Sequence, residues 1–313
     1  MSDKQSRVKA RLRQLRLYES VGLDAKIRYA NRLIEAGLEI AERPAVAWSG
    51  GKDSTVLLDL VRRFDPGAVV NFNNTGVEFP ETLRFVKEIQ GRWSLNLHVT
   101  RPDRSRDFWW CLEEFGYPLF GKWFARRRFG SWRSEKQHKV MTSGARVSPS
   151  CCYYCKEKPA LDLYGDLGVD VVFLGIMAGE SRRRRFNWCD YGDVRWNKHE
   201  QRWKIHPLSV WLEEDILEYH KRFDLPMCDL YSMGHRRNGC WPCGMDIAFE
   251  GNHLATLRRS HPKLWRFLMV DKGLGEELLK IKLALQDGQG DLFSATWDIE
   301  QLIEQRPCFF DRV

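Results

Sequence analysis

Cysteine is concentrated in two short segments of this chain, which holds nine cysteines in 313 residues. The segments are Cys151-Cys152-Tyr153-Tyr154-Cys155 and Cys240-Trp241-Pro242-Cys243. Four thiolates brought together from two segments hold either Zn²⁺ or an iron–sulfur cluster. An adjacent Cys-Cys pair is unfavourable in a compact zinc knuckle, because neighbouring side chains diverge. A set of free or disulfide-bonded thiols is the third alternative.

Cys155 makes the ligand count ambiguous. It either replaces Cys151 as a ligand, which would create a second Cys-x-x-Cys, or it is a free thiol beside the metal. The remaining cysteines, Cys111, Cys189, Cys228 and Cys308, are expected to be buried or incidental.

A glycine-containing loop offers a second kind of chemistry. Ser49-Gly50-Gly51-Lys52-Asp53-Ser54 follows the apolar run 45–48 and precedes a helical pattern. Glycines let the backbone approach a phosphate, and the N-terminus of the helix supplies N–H groups and a positive dipole end. The loop is not a Walker A motif, because Val46 stands where that motif has its first glycine and Asp53 follows the lysine. The alternative is a tight turn with Asp53 or Ser54 as N-cap.

The elements that would position these residues alternate between strand and helix. The sequence predicts strands over 45–48, 68–72, 95–99 and 169–174, with helical patterns between them. Such alternation is typical of an α/β fold, here a doubly wound, mostly parallel sheet. We expect a helical N-terminal extension over 1–40, a main domain over 41–249 with a basic aromatic insertion at 101–146, and a helical C-terminal tail over 250–313.

Charge and composition restrict the partners. The chain has a net charge of +8 and no stretch of about 20 apolar residues, so we expect no membrane span. No secretory signal is visible, so the cytoplasm is the expected compartment. The excess charge lies in segments 101–146 and 176–204. There, Arg126, Arg127 and Arg128 stand among aromatic residues, as in surfaces that bind nucleic acid. The alternative is a solvated basic loop.

The loop and four further motifs resemble one family. Ser49–Ser54 resembles the signature of the PP-loop ATP pyrophosphatase superfamily. Asn74–Thr82, Gly179–Arg184, Ile205–Leu208 and Leu230–Cys243 resemble motifs of its phosphoadenosine-phosphosulfate (PAPS) reductase family. The resemblance implies an adenine nucleotide α-hydrolase-like fold. It also implies nucleotide binding by Ser49, Gly50, Gly51, Lys52, Asp53, Ser54, Thr75, Gly76 and Arg184, with Lys52 and Asp53 as catalytic residues. Cys155 is expected as a third catalytic residue, a thiol that holds the transferred sulfur.

The cysteine pattern is similar to that of assimilatory sulfonucleotide reductases that carry a [4Fe–4S] cluster. That similarity implies Cys151, Cys152, Cys240 and Cys243 as its ligands. The chain departs from these reductases at its C-terminus. Cys308 lacks the surrounding Glu-Cys-Gly-Leu-His motif whose cysteine attacks the substrate sulfur, and the loop is the complete Ser-Gly-Gly-Lys-Asp-Ser.

Both departures favour an ATP-dependent sulfur transferase similar to the DNA phosphorothioation enzymes. It would adenylate an acceptor, with nucleic acid expected, and release pyrophosphate with the help of Mg²⁺. Expected partners are nucleic acid and a cysteine desulfurase or another sulfur donor; a homodimer is left open. One alternative is an APS/PAPS reductase that releases sulfite. Another is a non-catalytic iron–sulfur protein that binds nucleic acid or has a regulatory role.

Overall fold

The structure, a computed structural model, describes residues 3–121, 134–247 and 252–285. Contacts within the chain divide these residues into two units. The sheet unit comprises residues 3–74, 80–101 and 158–231, and the cysteine unit comprises the rest, with residues 75–79 as its first segment. The division into 1–40, 41–249 and 250–313 stays a prediction.

The secondary structure follows in chain order. The helices are α1 (Asp3–Glu19), α2 (Leu23–Glu39), α3 (Lys52–Arg62), α4 (Pro80–Trp93), α5 (Phe108–Phe115), α6 (Glu135–Thr142), α7 (Lys158–Asp166), α8 (Arg182–Tyr191), α9 (Glu213–Arg222), α10 (His253–Ser260), α11 (Pro262–Arg266) and α12 (Leu274–Leu285). The strands are β1 (Pro44–Ala47), β2 (Val69–Asn73), β3 (Leu97–Thr100), β4 (Val171–Leu174), β5 (Val194–Asn197) and β6 (Arg202–Ile205).

The sheet unit is built on one six-stranded sheet with the order β3-β2-β1-β4-β6-β5. All neighbours pair in parallel except β5, which pairs antiparallel with β6 at the edge. Strand β1 lies between β2 and β4, with Ala45 opposite both Val69 and Val172. The predicted doubly wound, mostly parallel α/β sheet is therefore confirmed.

The core of the sheet unit lies between the sheet and the helices that cover it, and apolar residues of β1 and α3 fill it. Ala45 and Val46 of β1 are fully buried, as expected for a central parallel strand with both faces covered. Helix α3 buries nearly all of its side chains. Helix α2 approaches the sheet closely at Gly37, where a Cβ atom would come within 2.8 Å of the Phe173 ring. A larger side chain at position 37 would push the helix off β4.

The four strands predicted from the apolar runs are present, with boundaries shifted by one or two residues. The helical pattern over 154–165 begins differently, because Tyr153–Glu157 forms a π-helical turn before α7. The N-terminal helical pattern over 4–38, with a predicted break at Gly22 and Leu23, forms the two helices α1 and α2, which separate at Gly22.

The cysteine unit contains α5, α6, α10, α11 and α12, the turn at Tyr153–Glu157 and a second π-helical turn at Phe267–Asp271. Three isolated β-bridges join Glu78 to Cys240, Tyr117 to Val147 and Leu119 to Gly244. In the ranges that the structure describes, no helix is long and apolar enough to cross a membrane.

Candidate active site

The glycine loop follows the carboxyl end of β1, in the sheet unit. The chain leaves β1 toward β2 on one side, and β4 lies on the other, so this is the point where the strand order reverses. Ligands of open α/β sheets bind in the crevice at that point. Gly50 adopts a positive φ of 70°, and Gly175, just after β4, lies against the start of α3. A Cβ atom on Gly175 would come within 3.2 Å of Ser54 Cα. The strand end and the helix start therefore approach as closely as a phosphate cradle requires.

Hydroxyl groups hold the loop in shape. The Ser49 amide donates to Ser54 Oγ at 3.2 Å, and the two serine hydroxyls lie 3.0 Å apart. The Thr55 hydroxyl donates to the Gly51 carbonyl at 2.9 Å and accepts from the indole N–H of Trp48 at 3.1 Å. The loop is therefore organised by its own side chains.

Lys52, the first residue of α3, lies with its ammonium group among carboxylates and a ring. Its Nζ is 3.6 Å from Asp53 Oδ1, 3.4 Å from Glu213 Oε1 and 5.4 Å from the centre of the Tyr231 ring. The residue is only 6% exposed. Its backbone amide donates to the Tyr231 hydroxyl at 2.8 Å. A buried cation at a helix N-terminus is suited to bind a nucleotide phosphate.

The carboxylate of Asp53 is buried close to one cation and two other carboxylates. Burial raises its pKa, Lys52 lowers it, and Glu180 and Glu213 raise it further. Its Oδ1 is buried and, among the described residues, has no hydrogen-bond partner within 3.5 Å; the Lys52 ammonium group lies 3.6 Å away. A carboxylate oxygen of this kind is a donor that Mg²⁺ prefers, so Asp53 fits the predicted role of binding the metal of a nucleotide complex.

Arg184 lies in the first turn of α8, where the Ser181 hydroxyl accepts from its amide at 3.2 Å. Its guanidinium donates to Glu180 Oε1, and the Met177 amide donates to the same oxygen at 3.3 Å. The side chain is about one-third exposed. Glu180 thus orients Arg184, whose contact with a nucleotide stays a prediction.

Thr75 and Gly76 belong to the cysteine unit. The Thr75 hydroxyl donates to Glu78 Oε1 at 2.8 Å and lies 3.4 Å from Cys240 Sγ. Gly76 has a φ of 81°, which turns the chain after β2. The nucleotide-binding role predicted for this pair stays a prediction; the contact that the structure adds is with a cysteine.

The predicted metal ligands lie together in the cysteine unit. A hydrogen bond with Cys152 and burial both raise the pKa of the Cys151 thiol. The charges of Cys240 and Cys243 raise this pKa further, so both residues lie near Cys151. Burial, reinforced by Cys240, raises the pKa of Cys243 to about 12. None of the eight described cysteines forms a disulfide bond. The chain thus brings Cys151, Cys152, Cys240 and Cys243 into one group.

The donor set of this group consists of four thiols, the ligand type of both zinc sites and iron–sulfur clusters. Within the described ranges, no group of three or more His, Cys, Asp or Glu side chains is arranged to hold a metal ion. A [4Fe–4S] cluster takes one thiolate on each iron. Iron would also displace the protons that burial otherwise keeps on these thiols. Cluster binding stays a prediction for these four residues.

Two contacts accompany this group. Lys156 follows Cys155 in the chain. The negative charges of Cys240 and Glu78 raise the pKa of the Lys156 ammonium group. Cys155 itself lies against Cys111 of α5, and that hydrogen bond with burial raises the pKa of the Cys155 thiol. Cys155 therefore contacts a cysteine that the sequence marks as incidental.

The sequence pattern did not identify several residues of these sites. Tyr231 and Glu213 contact Lys52, and Glu78 and Lys156 contact Cys240. Tyr231 and Glu78 stand inside the motifs Leu230–Cys243 and Asn74–Thr82, and Lys156 directly follows the first cysteine segment, so a sequence signal was available for all three. Glu213 and Cys111 lie outside these motifs, so no sequence signal identified them. Arg126, Arg127, Arg128 and Cys308 lie outside the described residues.

Comparison with known proteins agrees with these motifs. The family model of the phosphoadenosine phosphosulfate reductase domain matches residues 43–245. A phosphoadenosine 5'-phosphosulfate reductase of Xylella fastidiosa strain M23 is 29% identical over 194 residues, 62% of this chain and 69% of that protein. An adenosine 5'-phosphosulfate reductase of Oceanobacillus iheyensis is 26% identical over 227 residues, 72% of this chain and 81% of that protein.

Among solved structures, a phosphoadenylyl-sulfate reductase from Candida auris aligns with a TM-score of 0.49 at 17% identity, covering 71% of this chain and 97% of that one. The family model spans well over half of the sequence, from the residue before β1 to just beyond Cys243. This chain belongs to the phosphoadenosine phosphosulfate reductase domain family.

Proposed function

We propose that the protein is a sulfonucleotide reductase, which converts adenylyl sulfate or its 3'-phosphate to sulfite and an adenosine phosphate. The observation that carries this proposal is the loop Ser49–Ser54 at the reversal point of the sheet, with Lys52 buried at the start of α3. The names of the curated relatives in the same family support the choice of substrate.

Different residues would bind the nucleotide and react with its sulfur. Lys52 and the N-terminal amides of α3 bind the phosphates, and Arg184 contributes a second cation. Reduction then needs a thiol that attacks the substrate sulfur. We assign this role to Cys155, which follows the expected cluster ligands Cys151 and Cys152 in the π-helical turn Tyr153–Glu157.

Cys151, Cys152, Cys240 and Cys243 would hold a [4Fe–4S] cluster. The cluster would supply an electron reservoir. Lys156 beside Cys240 adds a fixed positive charge to the same group, and this charge favours the thiolate form that a cluster ligand needs.

A second candidate function is ATP-dependent sulfur transfer, and the complete Ser-Gly-Gly-Lys-Asp-Ser loop favours it. The loop would then bind the pyrophosphate of ATP with Mg²⁺ on Asp53. The acceptor would be adenylated nucleic acid, as in DNA phosphorothioation. A cysteine desulfurase or another donor would supply the sulfur. Arg126, Arg127 and Arg128 would contact the nucleic acid.

One set of anaerobic assays separates these functions. The protein is incubated with adenylyl sulfate or its 3'-phosphate, a dithiol and no ATP, and sulfite is measured. Sulfite release supports the reductase. Release of AMP and pyrophosphate from ATP only when a sulfur donor and DNA are present would favour the transferase. Neither activity, together with tight DNA binding, would overturn both and indicate a non-catalytic protein.

The cluster has its own test. Anaerobically purified protein is analysed for iron, sulfide and visible absorption. We expect four irons and four sulfides for each chain by the stoichiometry of a [4Fe–4S] cluster, about 4 of each. A Cys243→Ser variant should lose the visible absorption, whereas Cys228→Ser, a buried cysteine of the sheet unit, should keep it. Colourless protein that contains zinc would contradict the assignment.

A further inference from the structure

Helices α1 and α8 pack against each other within the sheet unit. In the middle of α1, the guanidinium carbon of Arg11 lies 4.9 Å from the centre of the Trp188 ring, and Nη2 of Arg11 donates to the Trp188 carbonyl at 3.4 Å. At the end of α1, Oε1 of Glu19 lies 3.8 Å from Nη2 of Arg185. The later residue of α1 thus meets the earlier residue of α8, so the two helices run in opposite directions and share one face.

This pair of helices carries a large excess of positive charge. Residues 6–19 of α1 and the whole of α8 contain nine arginines and lysines but only two carboxylates, Glu19 and Asp190. Glu19 already pairs with Arg185. Among the residues that the structure describes, neither Arg16 nor Arg182 forms an ion pair. Their guanidinium groups therefore remain available to an external anion.

A cavity of about 150 Å³ lies between the two helices. Its walls include the side chains of Arg16, Arg182 and Arg185, the ring of Phe186 and leucines of α1. Nε of Arg185 is buried and has no hydrogen-bond partner among the described residues. Guanidinium groups that converge on one cavity are suited to a phosphate, because a guanidinium can donate two parallel hydrogen bonds to it. Positions 182, 185 and 186 share one face of α8, and the predicted nucleotide contact Arg184 lies off that face.

Exposed aromatic rings accompany these cations. Phe186 is 39% exposed, and the guanidinium carbon of Arg182 lies 5.6 Å from its ring centre. Tyr191, the last residue of α8, is 52% exposed, and Arg195 of β5 lies 4.3 Å from its ring centre. Trp196, next along the edge strand β5, is 39% exposed. Each ring is left out of the core and presents its surface to solvent beside an arginine, which is the combination that binds unpaired bases.

We infer that the face formed by α1, α8 and the β5 edge binds single-stranded nucleic acid. Phosphates of the strand bind to Arg16, Arg182 and Arg185, and bases stack on Phe186 and Tyr191. A duplex would leave the rings unused, because its bases are already stacked on one another. An acidic peptide would pair with the arginines but would not stack on the rings. The inference does not rest on the proposed reductase function, since no residue of the glycine loop takes part.

The salt dependence of binding tests the phosphate contacts. Fluorescence anisotropy measures the Kd of a labelled oligo-dT strand of about 20 nucleotides between about 50 and 200 mM salt. The double variant Arg16→Gln/Arg182→Gln should bind at least about tenfold more weakly. The slope of log Kd against log salt should become shallower by about 1.4, because two phosphate contacts are lost. The matched control is Lys87→Gln/Lys221→Gln, which removes the same charge at exposed positions of α4 and α9 and should bind as wild type. Wild-type affinity in the arginine variant would overturn the inference.

A second variant tests base stacking. Phe186→Ala should weaken binding about fivefold or more without changing the salt slope, because stacking releases no counterions. Leu217→Ala removes a similarly exposed apolar side chain from α9 and is the control. Unchanged affinity in Phe186→Ala would overturn the inference. Equally tight binding of a duplex or of polyglutamate would overturn it too, as would displacement of the strand by dTMP at an equal nucleotide concentration.

The test is independent of catalysis. Strand binding is measured without sulfonucleotide, and sulfite release is measured without the strand, so either result can fail while the other stands. Circular dichroism checks that each variant is folded, so a loss of affinity reports on the surface itself.

Discussion

Thr75 Oγ1 lies 3.4 Å from Cys240 Sγ, although 165 residues separate the two along the chain. The same hydroxyl donates to Glu78 Oε1, and Cys240 Sγ is 3.8 Å from that oxygen. The segment that follows β2 therefore contributes the polar surroundings of one predicted cluster ligand. Glu78 is almost completely buried, so its carboxylate depends on these partners.

Thr75→Val tests the value of this hydroxyl. The substitution keeps the shape of the side chain but removes a hydrogen bond to a buried carboxylate. We expect the free energy of unfolding to fall by about 2 kcal/mol, as for other hydrogen bonds to charged groups. Thr75→Ser keeps the hydroxyl and should cost less than half as much. Urea denaturation measures both, and equal losses in the two variants would show that the hydroxyl is not the stabilising group.

Lys52→Ala tests the nucleotide site. The substitution removes the buried ammonium group at the start of α3, so turnover of the nucleotide should fall by about 100-fold or more. The visible spectrum of the cysteine group should not change, because Lys52 belongs to the sheet unit. Lys87→Ala, at an exposed position of α4, is the matched control. Retained turnover in Lys52→Ala would contradict the assigned role.

The stability of the sheet unit depends on pH through His206. Burial lowers its pKa to about 4, partly opposed by Asp193 and reinforced by Lys204 and Arg195. The folded chain keeps this imidazole neutral, whereas the unfolded chain binds a proton below about 6.5. Its contribution to stability is therefore complete above pH 6.5 and is lost as the pH falls toward 4. The loss is on the order of 3 kcal/mol.

Chemical denaturation of wild type and His206→Gln between pH 7 and pH 4.5 measures this effect. The wild type should lose more stability than the variant as the pH falls. His199→Gln, at an exposed position, should retain the full pH dependence. Parallel curves for wild type and His206→Gln would assign the pH dependence to other groups.

Lys26 and Asp215 form a buried ion pair that fixes the start of α9. Lys26 Nζ lies 2.5 Å from Asp215 Oδ2, and the same oxygen accepts from the Leu212 amide at 2.6 Å. Lys26→Met leaves a buried carboxylate without its cation, so we expect a loss of about 3–5 kcal/mol in urea denaturation. Lys221→Met, at an exposed position of α9, should cost less than about 0.5 kcal/mol. If the two variants are equally stable, the pair contributes no stability.

Much of the site was predictable because its signals are local. A glycine pair between an apolar run and a helical pattern predicts a phosphate-binding turn, since φ values and helix periodicity depend on neighbouring residues. The order of strands and helices likewise predicted a parallel sheet. The same reasoning mislocated the start of α7, because a π-helical turn leaves the periodicity nearly unchanged.

The remaining features needed the tertiary structure. Glu213 and Tyr231 reach Lys52 only because α9 and the segment after it pack beside α3. Cys111 is buried, as predicted, but only the ring packing of Trp110 and Tyr154 brings α5 to the turn that carries Cys155. The sequence by itself determined the loop, the alternating elements and the two cysteine segments, which are properties of adjacent residues. Only packing between distant segments decided which carboxylates, rings and thiols surround each functional group.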